Sequence, residues 1–372
     1  MRTLIYLLES ILSTPSGTKK IWKFFNHIVK HKPLGVVFCN ITSLCNLRCT
    51  YCRYAEWNKQ YSRNYGFLHK RMTIDDFICY GEKLKKYGVL SGFITGGEPT
   101  LNKDCPEILE EAIEIFPINV TLSTNLCNSS KTFFRSIQIA LSHNLSIETS
   151  LDGFQQTNNI LRPAASNIDT YNAILKNMIK IIKLKRKMKS ESFLGVNITV
   201  SKINIKEVLS LIKFVQKIGW APSIQLVQNT GDLALKHPNK KQRIITTSSY
   251  EFKSTINEIK KIFEHDSFSK DYFDWILGWI SGTEKKYCPY QHIPIVFKIW
   301  PDGSISICSS KPIGNLNYSD LDQIFNSSTY YQELKKLSKC KGCSYPLYIG
   351  PKILSKKLIL NILNGAFTNI LM

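Results

Sequence analysis

Residues 40–54 read NITSLCNLRCTYCRY and place three cysteines, Cys45, Cys49 and Cys52, within eight positions in the spacing CxxxCxxC. A zinc ribbon needs two CxxC pairs and a disulfide scaffold needs an even count, so neither suits this loop. Three thiolates on one short loop can hold three irons of a cubane iron–sulfur cluster and leave the fourth iron open. An open coordination position makes a metal site reactive rather than only structural, as it does for catalytic zinc.

A second set of cysteines lies toward the C-terminus: Cys288 in KKYCPY, Cys308 in WPDGSISICSS, and Cys340 with Cys343 in KCKGCSYP. Four thiolates suffice to close a cluster completely, and a CxxC with two distant cysteines also suits tetrahedral zinc. Asp302–Gly303 reads as a hairpin turn that places Cys308 on the returning strand. Cys39, Cys79, Cys105 and Cys127 read as small buried hydrophobes, and no histidine is assigned to a metal.

Such loops need a scaffold that brings them to one place. Short apolar runs at 35–42, 91–96, 118–124, 145–152, 195–201 and 223–228 read as buried parallel strands. Helical spacing separates them, as in TIDDFICYGEKLKKYG (73–88), which Thr73 opens as N-cap and Gly88 closes. Residues 104–116 and 204–219 follow the same plan. Six strand–helix units in a row predict a parallel sheet with right-handed crossovers, either doubly wound or a partial barrel. Barrel folds carry their chemistry at the C-terminal ends of the strands, and the cysteine loop directly follows the first strand.

At successive strand ends these residues carry a resemblance. Cys45, Cys49, the aromatic Tyr51 and Cys52 resemble the CxxxCxΦC signature of the radical S-adenosylmethionine (AdoMet) superfamily. Gly96, Gly97, Glu98 and Pro99, ending the second strand, resemble its GGEP motif, which receives the methionine amino group of AdoMet. Glycines there let backbone approach a ligand with no Cβ in the way, and Glu98 serves chiefly loop geometry. Thr124 and Asn125 end the third strand, where relatives place polar residues around the nucleoside. Ser150 and Asp152 in SLDG, followed by Arg162, resemble the pattern of relatives with an extra cluster domain, in which a serine and an arginine contact the AdoMet carboxylate. A guanidinium fork suits that carboxylate geometrically. The order C…DGxxxxC…CxxC resembles the twitch domain, the shortened form of the SPASM domain.

The resemblance implies an α/β fold: a partial (β/α)6 parallel TIM-like barrel with a small C-terminal auxiliary-cluster (twitch/SPASM-like) domain capping its open face. It implies three cofactors: a 4Fe–4S cluster on Cys45, Cys49 and Cys52, AdoMet, and a second, auxiliary 4Fe–4S cluster on Cys288, Cys308, Cys340 and Cys343. It implies reductive cleavage of AdoMet to a 5′-deoxyadenosyl radical, hydrogen abstraction from substrate, and substrate oxidation or coupling assisted by the auxiliary cluster. A reducing protein such as flavodoxin or ferredoxin is the implied partner. The chain then divides into an N-terminal amphipathic segment (1–35), the barrel (36–230), a linker or insertion (231–287), the auxiliary domain (288–345) and an amphipathic tail (346–372).

Substrate is not written in a motif, and peptides, lipids and small metabolites such as sugars stay open. About 35 residues precede the first strand, too few for a separate leader-binding module, which weighs against a peptide substrate unless a separate chain supplies the recognition module. The three-cysteine C-terminal spacing and glycine-ended tail of the molybdopterin-precursor cyclases are missing, which argues against that reaction.

Composition sets the remaining bounds. The net charge of +21 on 372 residues favours anionic partners or reflects a solvated lysine-rich surface. The N-terminus, interrupted by Glu9, does not read as a signal peptide, and no window has the apolar length of a membrane span. A cytoplasmic setting follows, in which clustered cysteines bind metal. Residues 21–33, with Trp22, Phe24 and Phe25 among basic residues, and the tail with Lys356 and Lys357 are candidates for peripheral contact with an anionic membrane. The rival class is a zinc-containing nucleic-acid-binding protein without radical chemistry. Its cysteines, however, are not spaced as a finger or ribbon, and it leaves GGEP and SLDG unexplained, so nucleic acid is not an expected partner.

Overall fold

The structure is a computed structural model and describes residues 36–52, 71–227, 250–263, 267–281, 296–308 and 311–337. The N-terminal amphipathic segment, Cys288, Cys340, Cys343 and the C-terminal tail lie outside the described residues.

The six expected strands are present: β1 Val36–Thr42, β2 Ser91–Gly96, β3 Asn119–Ser123, β4 Ser146–Ser150, β5 Leu194–Val200 and β6 Ala221–Leu226. Each pairs in parallel with its sequence neighbour, in the order β6-β5-β4-β3-β2-β1. Between them run α1 Ile74–Tyr87, α2 Cys105–Ile115, α3 Lys131–Ser142, α4 Gln155–Leu161, α5 Thr170–Met188 and α6 Val208–Lys217. The α1 caps are those expected. Thr73 and Asp76 form a reciprocal capping box, and Gly88 closes the helix in the left-handed conformation at φ 88°. The helix expected over 204–219 begins only at Val208, because the Asn204 side chain instead bonds the backbone of Asp152, Thr199 and Ser201.

The sheet has two unlike faces. Val37, Cys39, Ile41, Ile94, Leu122, Ile147, Val196 and Ile198 are fully buried beneath the helices. The opposite face carries the stacked pair Phe38–Phe93 on β1 and β2, then turns polar with Thr121, Ser123, Glu148, Ser150, Asn197, Thr199 and Gln225 on β3 to β6. Side chains alternate across a strand, so the helix-covered core leaves this second face to line the concave side of the partial barrel.

Two helices, α7 Tyr250–Ile262 and α8 Ser267–Ser281, occupy part of the segment read as linker or insertion, and Phe252, Ile256, Ile259, Phe273 and Ile276 join the core. The sheet then continues past β1. Strand β7 Val296–Ile299 pairs in parallel with β1, and β8 Ser304–Ser306 and β9 Gly314–Asn315 follow in antiparallel. The expected turn is formed, with Gly303 at φ +80° and Asp302 Oδ1 accepting from Ser304 N–H at 3.0 Å. The short helices α9 Leu321–Phe325 and α10 Ser328–Leu337 come next. Asn40 Nδ2 donates to Ile299 O at 3.1 Å, and Lys83 of α1 donates to Leu316 O at 2.6 Å. The module that reads as a separate domain is thus continuous with the barrel sheet at its β1 edge.

Candidate functional site

The cysteine loop leaves the C-terminal end of β1 and is stitched on both sides. Toward β2, Gly97 N–H donates to Thr42 O at 2.8 Å and Glu98 N–H to Leu44 O at 2.7 Å. A Cβ on Gly96 would stand 2.2 Å from Thr42 O, and one on Gly97 2.2 Å from Leu44 O. The close approach that demands these glycines is therefore made by the backbone of the cysteine loop, where sequence reasoning expected a ligand. Toward α4, Leu47 bridges Ala164, Arg48 N–H donates to Pro163 O at 2.7 Å and Thr50 N–H to Leu161 O at 2.9 Å. That strap carries Arg162 to the loop.

The three thiols influence one another. Burial pushes Cys45 and Cys49 up to about 12, and mutual repulsion among Cys45, Cys49 and Cys52 adds to the rise. Leu47 N–H donates to Cys45 Sγ at 3.4 Å, and Asn125 Nδ2 faces the same sulfur at 3.8 Å. Buried thiols held this high become thiolates only beside strong positive charge, which a metal centre supplies. No three His, Cys, Asp or Glu side chains among the described residues converge on a single-ion site. A cubane puts its irons at separate corners, so its thiolates need not converge on one point.

Glu98 is fully buried and caps the 3₁₀ turn Pro99–Leu101. Its Oε1 accepts from Thr100 N–H (3.2 Å), Thr100 Oγ1 (2.6 Å) and Thr124 Oγ1 (2.7 Å), and its Oε2 from Asn125 N–H (2.7 Å). The carboxylate thereby ties the β2 and β3 ends together, which is the loop-holding service expected of it. Asn125 also donates to Asn46 Oδ1 at 2.8 Å, and Asn46 Nδ2 to Cys127 O at 2.6 Å. Sequence reasoning puts Asn125 near the nucleoside; the structure turns its amide toward Cys45.

Across the loop, the partly buried Tyr51 joins the buried Asp152 and Arg162 in one cluster. The Tyr51 hydroxyl donates to Asp152 Oδ2, and burial holds the phenol in its neutral, donating form. Arg162 Nη1 reaches Tyr51 Oη at 2.8 Å and Asp152 Oδ2 at 3.2 Å. Asp152 Oδ1 accepts from Thr199 N–H at 2.7 Å, which fixes the carboxylate against β5. Arg162 Nε is buried with no hydrogen-bond partner, a donor left beside Cys49, whose thiol feels the guanidinium charge. A buried donor without an acceptor is costly, so a carboxylate-bearing ligand beside this loop fits the residues present. Ser150 ends β4 on the same rim.

Two other expectations shift. Cys308 is partly buried two residues beyond β8 rather than within the returning strand. Cys79 is exposed on α1, because the buried stripe is Phe77, Tyr80, Gly81 and Leu84 and position 79 falls off it. Cys39, Cys105 and Cys127 are buried as expected. Sequence reasoning missed Asn46 and Glu148; the alternation of Ser146, Glu148 and Ser150 along β4 is the signal that places Glu148 on the concave face.

Residues 39–215 match the model of the radical SAM superfamily, and residues 293–344 match that of the SPASM iron–sulfur cluster-binding domain. A cysteine-type anaerobic sulfatase-maturating enzyme of Clostridium novyi is 24% identical over 340 residues, covering 85% of this chain and 87% of the relative. A GTP 3′,8-cyclase of Aquifex aeolicus is 34% identical over 97 residues, but the match spans only 28% of that relative. The fold is similar to that of the anaerobic sulfatase-maturating enzyme anSMEcpe with bound AdoMet (TM-score 0.59, 18% identity, 83% of this chain and 86% of that one). It is also similar to Streptococcus suis SuiB bound to its precursor peptide SuiA (TM-score 0.55, 17% identity, 87% and 73%). The chain belongs to the radical SAM superfamily and is an enzyme whose two domains imply a 4Fe–4S cluster, AdoMet and auxiliary iron–sulfur binding.

Proposed function

We propose that this enzyme modifies a peptide, with Cys45, Cys49 and Cys52 holding the cluster that engages AdoMet and Cys288, Cys308, Cys340 and Cys343 holding one auxiliary 4Fe–4S cluster. The observation that carries this reading is the match to a sulfatase-maturating enzyme along 85% of the chain, spanning both domains. When bound, the cluster and AdoMet supply a 5′-deoxyadenosyl radical able to take hydrogen from an unactivated carbon.

The chain's own residues bind, orient and exclude water. Arg162 Nε and Ser150 receive the AdoMet carboxylate, while Asp152 and Tyr51 hold the guanidinium in place. Glu98 keeps the GGEP turn and the β3 end at fixed spacing around the cysteine loop. Leu47 N–H and Asn125 Nδ2 donate to Cys45 Sγ and stabilise negative charge on that sulfur. The polar concave face suits a peptide better than a lipid chain. The electron comes from a protein reductant of the flavodoxin or ferredoxin kind.

Iron, sulfide and zinc counted per chain after oxygen-free purification test the reading. We expect about eight irons, and about four after replacing Cys45, Cys49 and Cys52 together by Ala, with formation of 5′-deoxyadenosine abolished. About four irons with one zinc would reassign the C-terminal cysteines to a structural site. Zinc without iron, even after reconstitution, would overturn the radical reading.

A further inference from the structure

We propose that Glu148 is the substrate-recognition residue of the concave face and that it takes a cationic group, an ammonium or guanidinium, on the substrate. The inference rests on the radical AdoMet reading for what lies above it and names the chemistry of the group that enters from below.

Glu148 sits mid-strand on β4, in register with Ser123 on β3 and Gly195 on β5. Among the described residues it is the one charged side chain that the six parallel strands place on this face. Its neighbours there are Thr121, Ser123, Ser150, Asn197 and Thr199, all neutral. The other charge on the face, Lys298 of β7, lies four strands away, ~19 Å along the sheet, and points to Cys308 O at 3.4 Å.

Among the described side chains, the carboxylate has one weak partner. The hydrogen bond it receives comes from Asn197 Nδ2 at 3.4 Å, the long end of the range, and no cationic side chain among the described residues pairs with it. The two fully buried acids of the site differ from the partly buried Glu148: Glu98 has four donors and Asp152 has Arg162. Burial pushes the Glu148 carboxyl upward from the usual carboxylate range, so its charged form gains most from an arriving cation.

Space and position agree with that role. Gly195 carries no side chain opposite Glu148; a Cβ there would come within 3.2 Å of Glu148 Cγ and 3.0 Å of the Phe193 ring. The backbone is fixed, since Glu148 O accepts from Thr124 N–H at 2.9 Å. The carboxylate lies two residues below Ser150, ~6.6 Å along the strand, so a bound cation would anchor the substrate one layer beneath the rim assigned to AdoMet.

The test is selection from a mixture by the reconstituted holoenzyme with AdoMet. The mixture holds acetyl-Gly-Xaa-Gly amides with Xaa lysine, arginine, norleucine, glutamine or glutamate, plus putrescine with butane-1,4-diol and glucosamine with glucose. Retained members are counted by mass spectrometry after ultrafiltration. The wild type should enrich lysine and arginine peptides over their neutral counterparts by about tenfold. Glu148→Gln should erase that preference and Glu148→Asp should keep part of it, with thermal unfolding of each variant measured alongside. Enrichment of putrescine or glucosamine instead of the peptides would uphold the Glu148 assignment and overturn the peptide one. Equal retention of cationic and neutral members by the wild type would sink the proposal. So would a cation preference that survives in a folded Glu148→Gln. The radical reading is judged apart from this, by the iron count.

Discussion

The backbone N–H of Asn125 donates to Glu98 Oε2 at 2.7 Å, fixing the end of β3 to the end of β2. The Asn125 amide meanwhile faces Cys45 Sγ, so one residue links the GGEP turn to the first cysteine. Every donor to Glu98 points at a carboxylate oxygen, and no oxygen is left over. Glu98→Gln turns an amide NH₂ toward one of those donors and leaves it unsatisfied in a buried site. We expect a loss of about 2–3 kcal/mol in unfolding free energy together with fewer irons per chain. Denaturant unfolding and an iron assay check this; wild-type values for both would show that Glu98 does not hold the loops.

Gly97→Ala addresses the same contact from the backbone. The added methyl would meet Leu44 O at 2.2 Å, and backbone on both sides gives it nowhere to go. The cysteine loop must shift, which disturbs the spacing of Cys45 from its companions. Iron bound at the N-terminal site should fall by more than half, while far-UV circular dichroism stays close to wild type. Gly219→Ala is the control: its φ is +87° but its nearest neighbour is Ile182 Cδ1 at 3.8 Å, so only local strain of about 1 kcal/mol is expected.

Arg162 and Asp152 form an ion pair whose side chains are 8% and 0% exposed. Removing one partner leaves the other charge buried and uncompensated. Asp152→Asn should therefore cost about 3–5 kcal/mol, and Arg162→Gln a similar amount. The double variant should cost clearly less than the sum of the two, as contact between the residues requires. Additive losses in denaturant unfolding would mean that the pair is not coupled.

Much of this was legible in the residues. Strand ends carry chemistry in α/β folds, so CxxxCxxC, GGEP and SLDG could be placed on one rim before any coordinates. The caps at Thr73 and Gly88 are local hydrogen-bond chemistry and read directly. What could not be read is what needs two distant segments at once. Gly96 and Gly97 are demanded by the backbone of residues 42–44, across a pairing that only the folded register creates. Cys79 looks apolar in sequence yet falls off the helix stripe by one position. Glu148 hides inside an apolar-looking run, because its face is set by alternation and its neutral surroundings among the described residues by the facing positions of β3 and β5.

Asp169 supplies a pH-dependent prediction on the segment that carries Arg162. It caps α5 by accepting from Asn172 N–H at 3.1 Å, and also accepts from Asn159 Nδ2 at 3.0 Å and Gln155 Nε2 at 2.6 Å of α4. These bonds, the one from Asn159 foremost, hold its carboxyl down at about 2 against an ordinary 3.8. The folded-state value lies below the unfolded one, so the stabilisation is fully present above about pH 4 and disappears as pH falls through about 2. Asp169→Ala should cost about 1 kcal/mol at neutral pH, the ordinary worth of an N-cap, and less as the pH approaches 2. Asp169→Asn keeps a capping oxygen without the charge, so its stability should fall less steeply than the wild type's between pH 4 and 2. Thermal unfolding of the three proteins across that window decides the matter. Parallel curves for wild type and Asp169→Asn would mean that the charge on Asp169 contributes nothing to the α4–α5 junction.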